Sequence, residues 1–180
     1  MVEIDSRRVD VQSFYLTRTE VTNSQYAQYL RDPRPSGKTE AEVPTAWYTE
    51  ACRYPDQPVA GLSWDDAENY CAWAHLELPT HEQWVHAANG GTKAEDWLGD
   101  RFAWFGGDIR LWPHSVAKKD PNPFGLHDMY GSVSEFLDGE SAGHIGGHWE
   151  SGAQYSTKRL EADEAGEEGE GFRCAAVSLP

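Results

Sequence analysis

The sequence is poor in cysteine and in positive charge, and it contains no long apolar run. Its three cysteines, Cys52, Cys71 and Cys174, stand far apart with no C-x-x-C pair, so neither a zinc knuckle nor a disulfide-dense scaffold is expected. Only 15 basic side chains stand against 30 acidic ones, and the formal charge of -15 repels a phosphate backbone and an anionic leaflet alike. Nucleic acid is therefore excluded as a partner. No stretch approaches the roughly 18 apolar residues that a spanning helix needs. The opening Met1-Val2-Glu3-Ile4-Asp5 has no basic n-region leading into an apolar h-region. No membrane insertion and no signal peptide are expected in this chain.

What is present suits a folded domain. The 180 residues are 39% apolar and 12% aromatic, with 17 glycines and 10 prolines, which excludes disordered and collagen-like classes. One domain over residues 1–180 is expected, since no linker and no repeat divides the chain.

Residues 9 to 16 begin by alternating apolar and polar side chains, the period of a half-buried strand. Three capping boxes follow. Thr22 precedes Gln25, Ser63 precedes Asp66 and Thr80 precedes Gln83, each by three residues and each before apolar residues at helical spacing, so each predicts the start of a short helix. Asn89-Gly90-Gly91 closes the third. The prolines and charges between Asp32 and Pro44 predict a surface loop. Beyond Gly91 no helical period survives, and tryptophans and glycines among turn residues predict loop-rich β structure. The acidic tract at residues 161 to 170 reads as a solvated loop.

Several chemistries fail on spacing. His81-Glu82 would need a second histidine at i+4 for a zincin helix, and His86 lies at i+5, about 100° away around the helix. Gly90-Gly91 and Gly106-Gly107 lack the residues of a P-loop, and no G-x-S-x-G nucleophile elbow occurs. Asp128 and Glu135 bracket Gly131, whose freedom permits a turn that gathers carboxylates and carbonyls around one hard cation such as calcium. Equally, Asp128 caps a turn and Glu135 lies on the surface. Spacing leaves both readings open.

The order of motifs resembles the formylglycine-generating enzyme, or sulfatase-modifying factor, family. The matching residues run from Thr19-Glu20-Val21-Thr22 through Leu62-Ser63-Trp64-Asp65-Asp66-Ala67 and Leu78-Pro79-Thr80. They continue with Phe124-Gly125-Leu126, Asp128-Met129-Tyr130-Gly131, Gly146-Gly147 and Gly171-Phe172-Arg173-Cys174. The resemblance implies an α+β domain with a C-type lectin-like fold of the formylglycine-generating-enzyme type, its short capped helices joined to loop-rich antiparallel β structure. It further implies a disulfide between Cys71 and Cys174. A structural calcium is implied as well, held by the side chains of Asp128 and Glu135 and the backbone of Gly131 and Val133. The reactive cysteine pair that follows the Gly-Gly motif in the enzymes is missing here, since residues 146–171 contain no cysteine, and copper, which needs thiolate ligands, is not expected.

A non-catalytic branch of the same scaffold, the variable proteins of diversity-generating retroelements, is similar in the frame Gly146-Gly147 to Gly171-Phe172-Arg173. This resemblance implies a display module of a phage or microbe, on a virion or cell surface, that binds a protein or other surface ligand. The binding segment would run from His148 to Glu170 and centre on His148, Glu150, Ser151, Gln154, Tyr155 and Lys158. The competing expectation is a divergent oxidase of the sulfatase-modifying type, or an accessory domain to such an enzyme.

Overall fold

A computed structural model describes residues 1–4, 13–32, 54–105, 113–138, 143–158, 160–161 and 169–177 of the chain. All three predicted helices form where their capping boxes begin: α1 (Asn23–Arg31), α2 (Trp64–Trp73) and α3 (His81–Asn89). In each, the N-cap hydroxyl accepts the backbone N–H of the third helical residue, whose side chain accepts the N-cap N–H in return. Two of the four donors that a helix start leaves open are thereby satisfied. Gly90 ends α3 at φ 56, a left-handed conformation that glycine adopts without a side-chain clash.

The strands are two or three residues long. β1 (Val2–Ile4), β2 (Phe14–Leu16) and β7 (Ala175–Ala176) form an antiparallel sheet in the order β1-β2-β7, which joins the two ends of the domain. The strand expected over residues 9 to 16 is seen as β2, and its first four residues lie outside the described ones. A second sheet runs β5-β4-β3-β6 from β3 (Ser134–Phe136), β4 (Gly143–Ile145), β5 (Leu160–Glu161) and β6 (Glu170–Gly171). Within it only β3 and β6 are parallel. The solvated loop read into the acidic tract needs correction at its ends, which are strand residues: Glu170 pairs with Ser134 and is 8% exposed. Residues 162–168 of that tract, Cys52, Gly106-Gly107 and the loop expected beyond Asp32 up to Pro44 lie outside the described residues.

Two apolar clusters hold these layers together. Trp84, Ala87 and Ala88 of α3 pack on Ile4, Phe14, Leu16, Leu126, Leu137 and Ile145. Tyr26, Tyr29, Tyr70 and Phe172 gather α1, α2 and the segment before β7 into an aromatic cluster, with ring centroids 5.3 to 6.5 Å apart. Edge and offset contacts of this kind add about 0.5–1.5 kcal/mol per pair beyond the area they bury. In the same cluster Cys71 of α2 is bonded to Cys174, with Cα atoms 5.8 Å apart. The bridge therefore ties the second helix to the end of the chain. Among the described residues no helix is long and apolar enough to cross a membrane.

Candidate functional site

The turn after Asp128 carries the second sheet. Gly131 sits at φ 77, and a Cβ there would lie 1.7 Å from the Trp104 carbonyl oxygen, so only glycine fits this approach. The Gly131 N–H donates to the Gly146 carbonyl, the Ser132 N–H to Trp104 and the Trp149 N–H to Ser132. These bonds fix β3 and the Gly146-Gly147 corner relative to each other.

The two carboxylates flanking this turn are both buried, which corrects the alternative that put Glu135 on the surface. Glu135 faces Arg173: Nε donates to Oε2 at 2.7 Å and Nη2 to Oε1 at 2.7 Å, while the Trp84 indole N–H donates to Oε2 at 2.6 Å. Arg173, itself fully buried, also donates to the carbonyls of Thr17 and His127. Asp128 accepts the Trp104 indole N–H at 3.1 Å and the Ala117 backbone N–H at 2.6 Å. All four carboxylate oxygens thus accept protein donors, and Arg173 supplies positive charge beside Glu135.

Among the described residues no group of three or more His, Cys, Asp or Glu side chains is placed to hold a metal ion. Calcium takes six to eight oxygens, so an ion at Asp128, Gly131, Val133 and Glu135 would have to share these carboxylate oxygens with their protein donors. A third carboxylate, Glu20, is 1% exposed beside this cluster with neither oxygen hydrogen-bonded. Burial, then the charges of Asp128 and Glu135, push its pKa well above the usual carboxylate range against the pull of Arg173. Glu20 therefore holds its proton to higher pH than a free glutamate would.

On the second sheet, toward the Gly146-Gly147 corner, lies a cavity of about 300 Å³. The loop from His148 to Tyr155 forms one wall. The His148 N–H donates to Ser151 Oγ at 3.2 Å, the Ser151 N–H donates back to the His148 carbonyl, and a 3₁₀ turn at Ala153–Tyr155 completes the wall. The floor comes from β3, β4, β5 and β6 through Ser134, His144, Leu160 and Glu170. Trp149, next to His148 in the chain, packs against Ala60 and Val133.

Of the residues singled out in the sequence, His148, Glu150, Ser151 and Tyr155 line this cavity. Gln154 and Lys158 are exposed and do not contribute to its lining. Sequence reasoning missed Ser134 and His144. Nothing local marks them, because each comes from a different strand and they meet only through non-local pairing.

The floor is polar and incompletely bonded. His144 is 3% exposed and neither ring nitrogen has a protein partner, and the Ser134 hydroxyl is likewise buried without one. Burial, and then the neighbouring His148, push the His144 pKa down to about 4. Burial also lowers His148, with Glu150 acting against it. Both rings are therefore neutral at pH 7, each with one N–H and one acceptor nitrogen. Buried polar groups are nearly always satisfied in native proteins, so the unpaired atoms on this floor mark a place where a ligand or water completes the bonding.

Comparison with known proteins covers almost the whole chain. The family model described as "Sulfatase-modifying factor enzyme 1-like domain" matches residues 3–177. A serine/threonine-protein kinase pkn1 of Chlamydia pneumoniae is 30% identical over 157 residues, covering 74% of this chain and 24% of the kinase. The inactive C-alpha-formylglycine-generating enzyme 2 of Bos taurus is 34% identical over 97 residues, which are 44% of this chain and 32% of that protein. The chain thus spans only about a quarter to a third of these curated relatives. Among solved structures, Treponema denticola variable protein 1 superposes with a TM-score of 0.71 at 19% identity, covering 99% of this chain and 92% of that one. CarF follows with a TM-score of 0.69 at 20% identity, covering 98% and 92%. These likenesses bear out the expected α+β, formylglycine-generating-enzyme type of C-type lectin fold, and with the match over residues 3–177 the chain belongs to the sulfatase-modifying factor enzyme 1-like family.

Proposed function

We propose that this chain is a non-catalytic, ligand-binding member of its family, of the variable-protein kind, and that it takes its ligand in the cavity between the His148–Tyr155 wall and the second sheet. The observation that carries this reading is the cavity floor, where Ser134 Oγ and both ring nitrogens of His144 are buried without protein partners. Native proteins satisfy nearly all such atoms, and these belong to residues that line a cavity where a ligand can reach them. Two further facts support it. Among the described residues the cavity lining includes no cysteine, and two of the three cysteines of the chain form a disulfide, whereas copper-dependent oxidation of a peptide cysteine needs thiolate ligands. The wall also carries short polar groups beside the exposed ring of Tyr155, the mixture that adaptable recognition surfaces use. The disulfide favours an oxidising location such as a virion or cell surface.

The competing reading, a divergent oxidase or accessory domain, draws on relatives named formylglycine-generating enzyme. Incubation with a cysteine-containing sulfatase-type peptide, with and without copper, separates the two. The binding reading expects no aldehyde above a protein-free control. Turnover that survives purification would establish the oxidase.

A further inference from the structure

We infer that the cavity floor recognises an uncharged hydroxyl, so that the ligand is a compact neutral alcohol whose O–H sits between Ser134 Oγ and a ring nitrogen of His144. This rests on the binding reading above and adds the chemical class of the ligand. Strand register brings the two side chains together. His144 stands opposite Phe136 across β3 and β4, and Ser134, two residues before Phe136, shares that face of the sheet. Both line the cavity. Diagonal neighbours of this kind have Cα atoms about 7–8 Å apart. The two do not bond each other, and neither has another protein partner. Such a spacing leaves room for one oxygen with hydrogen bonds of about 2.8 Å to each.

Reversible roles select the hydroxyl. Ser134 Oγ has one donor and two lone pairs, and His144, held neutral, presents one N–H and one bare nitrogen. If the bare nitrogen meets the ligand, a hydroxyl donates to it and accepts from Ser134. If the N–H meets the ligand, the same hydroxyl accepts there and donates to Ser134. An ammonium only donates and a carboxylate only accepts, so each suits a single arrangement. Neither floor group carries charge, and burying an unbalanced charge costs far more than burying a hydrogen-bonded hydroxyl. Glu150 is exposed, where water and salt screen it, and Glu170 already has an interaction within the protein. The hydroxyl is therefore assigned from Ser134 and His144 alone. Water suits the same place, and a ligand hydroxyl that displaces it remakes its bonds.

The rest of the lining suits an apolar body. Leu160 pairs with His144 in register and so lies beside it on the floor. Tyr155, 45% exposed, adds a ring that solvent reaches. At about 300 Å³ the cavity stands at the lower end of small-molecule sites, so its occupant is compact. A single hydrocarbon ring bearing a hydroxyl meets these conditions: apolar area against Leu160 and Tyr155 favours entry, and the hydroxyl fixes orientation.

The test titrates the full chain with cyclohexanol and cis-cyclohexane-1,2-diol, and with matched controls. These are methoxycyclohexane, which accepts a hydrogen bond but cannot donate one, cyclohexylammonium and cyclohexanecarboxylate. Binding is followed by NMR shifts of the His144 and Tyr155 rings. The inference expects the alcohols to shift both rings and to bind at least about threefold more tightly than each control. It expects S134A to weaken cyclohexanol about fivefold, and H144L, read at the Tyr155 ring, to do the same. Either variant gives the answer if the other fails to fold. A control that binds as tightly as the alcohols would overturn the alcohol class while leaving the cavity as a binding site, and so would alcohol binding that a folded variant leaves unchanged. No shift with any probe would overturn the inference and count against the binding reading as well.

Discussion

Replacing Arg173 by methionine removes a buried guanidinium that acts on three buried carboxylates, Glu135, Glu20 and Asp128. Arg173 makes two bonds to Glu135 at 2.7 Å and donates to the carbonyls of Thr17 and His127. Methionine keeps the apolar stem and loses every donor. Breaking a buried ion pair on one side costs about 3–5 kcal/mol, because the remaining charge is left uncompensated. Against a typical domain stability of about 5–15 kcal/mol, R173M should sit near the edge of folding. The second variant is therefore essential. In R173M/E135Q the glutamine still accepts the Trp84 N–H through its amide oxygen, and the stranded charge is gone. The double variant should be more stable than R173M by at least about 1 kcal/mol. Urea unfolding followed by tryptophan fluorescence measures these two and the single variant E135Q, provided the m-values stay equal. If R173M costs less than about 1 kcal/mol, or if the double variant loses the sum of the two single losses, then Arg173 and Glu135 do not act as a buried pair.

Reducing the Cys71–Cys174 bridge opens a sequence separation of 103 residues. In the chain-entropy model that should destabilise the domain by about 5 kcal/mol, read as a lower unfolding midpoint in dithiothreitol; an unchanged midpoint would count against the bridge. Gly131→Ala should cost at least about 3 kcal/mol, since its methyl would occupy the space of the Trp104 carbonyl oxygen; a wild-type melting temperature would contradict the turn geometry. His144 has a folded pKa of about 4 against an ordinary 6.5. Its contribution is intact above pH 6.5 and is lost as pH falls toward 4, a total on the order of 3 kcal/mol. H144Q should flatten that acid limb, and an unaltered limb would refute it. Glu20, raised by burial, has the opposite sign: its contribution is present at low pH and is lost as pH rises through its folded value. E20Q should therefore stabilise the protein at neutral pH, as chemical denaturation would report. Calcium at Asp128 and Glu135, proposed from the family resemblance, would have to share oxygens already taken by Arg173, Trp104 and Trp84. A melting temperature that rises in calcium over excess chelator is the expected sign of the ion, and equal melting would count against it.

The three helices were legible because a capping box is chemistry within four consecutive residues, as at Ser63 and Asp66. The strands of the second half were not, since each spans two or three residues and is defined by distant partners. Ser134 meets Glu170 and Phe136 meets His144 only after the chain has folded back on itself. The same limit governed the sites. The glycine frame pointed to the wall carrying His148, Glu150, Ser151 and Tyr155, whose order is local. The floor residues Ser134 and His144 give no sign in sequence of being unbonded, because that is a property of their surroundings. Nearness to Gly131 pairs Asp128 with Glu135 in the sequence, while the partner that Glu135 has in the structure, Arg173, lies 38 residues farther along.

The central claim is that the cavity above Ser134 and His144 is where this chain binds. Crystals soaked with a chemically mixed fragment library, in which cationic, neutral and anionic fragments are equally represented, test it most directly. The account predicts density for fragments inside the cavity, with polar atoms within hydrogen-bond distance of Ser134 Oγ or a ring nitrogen of His144. Fragments that gather elsewhere on the surface and leave this cavity to water would contradict it.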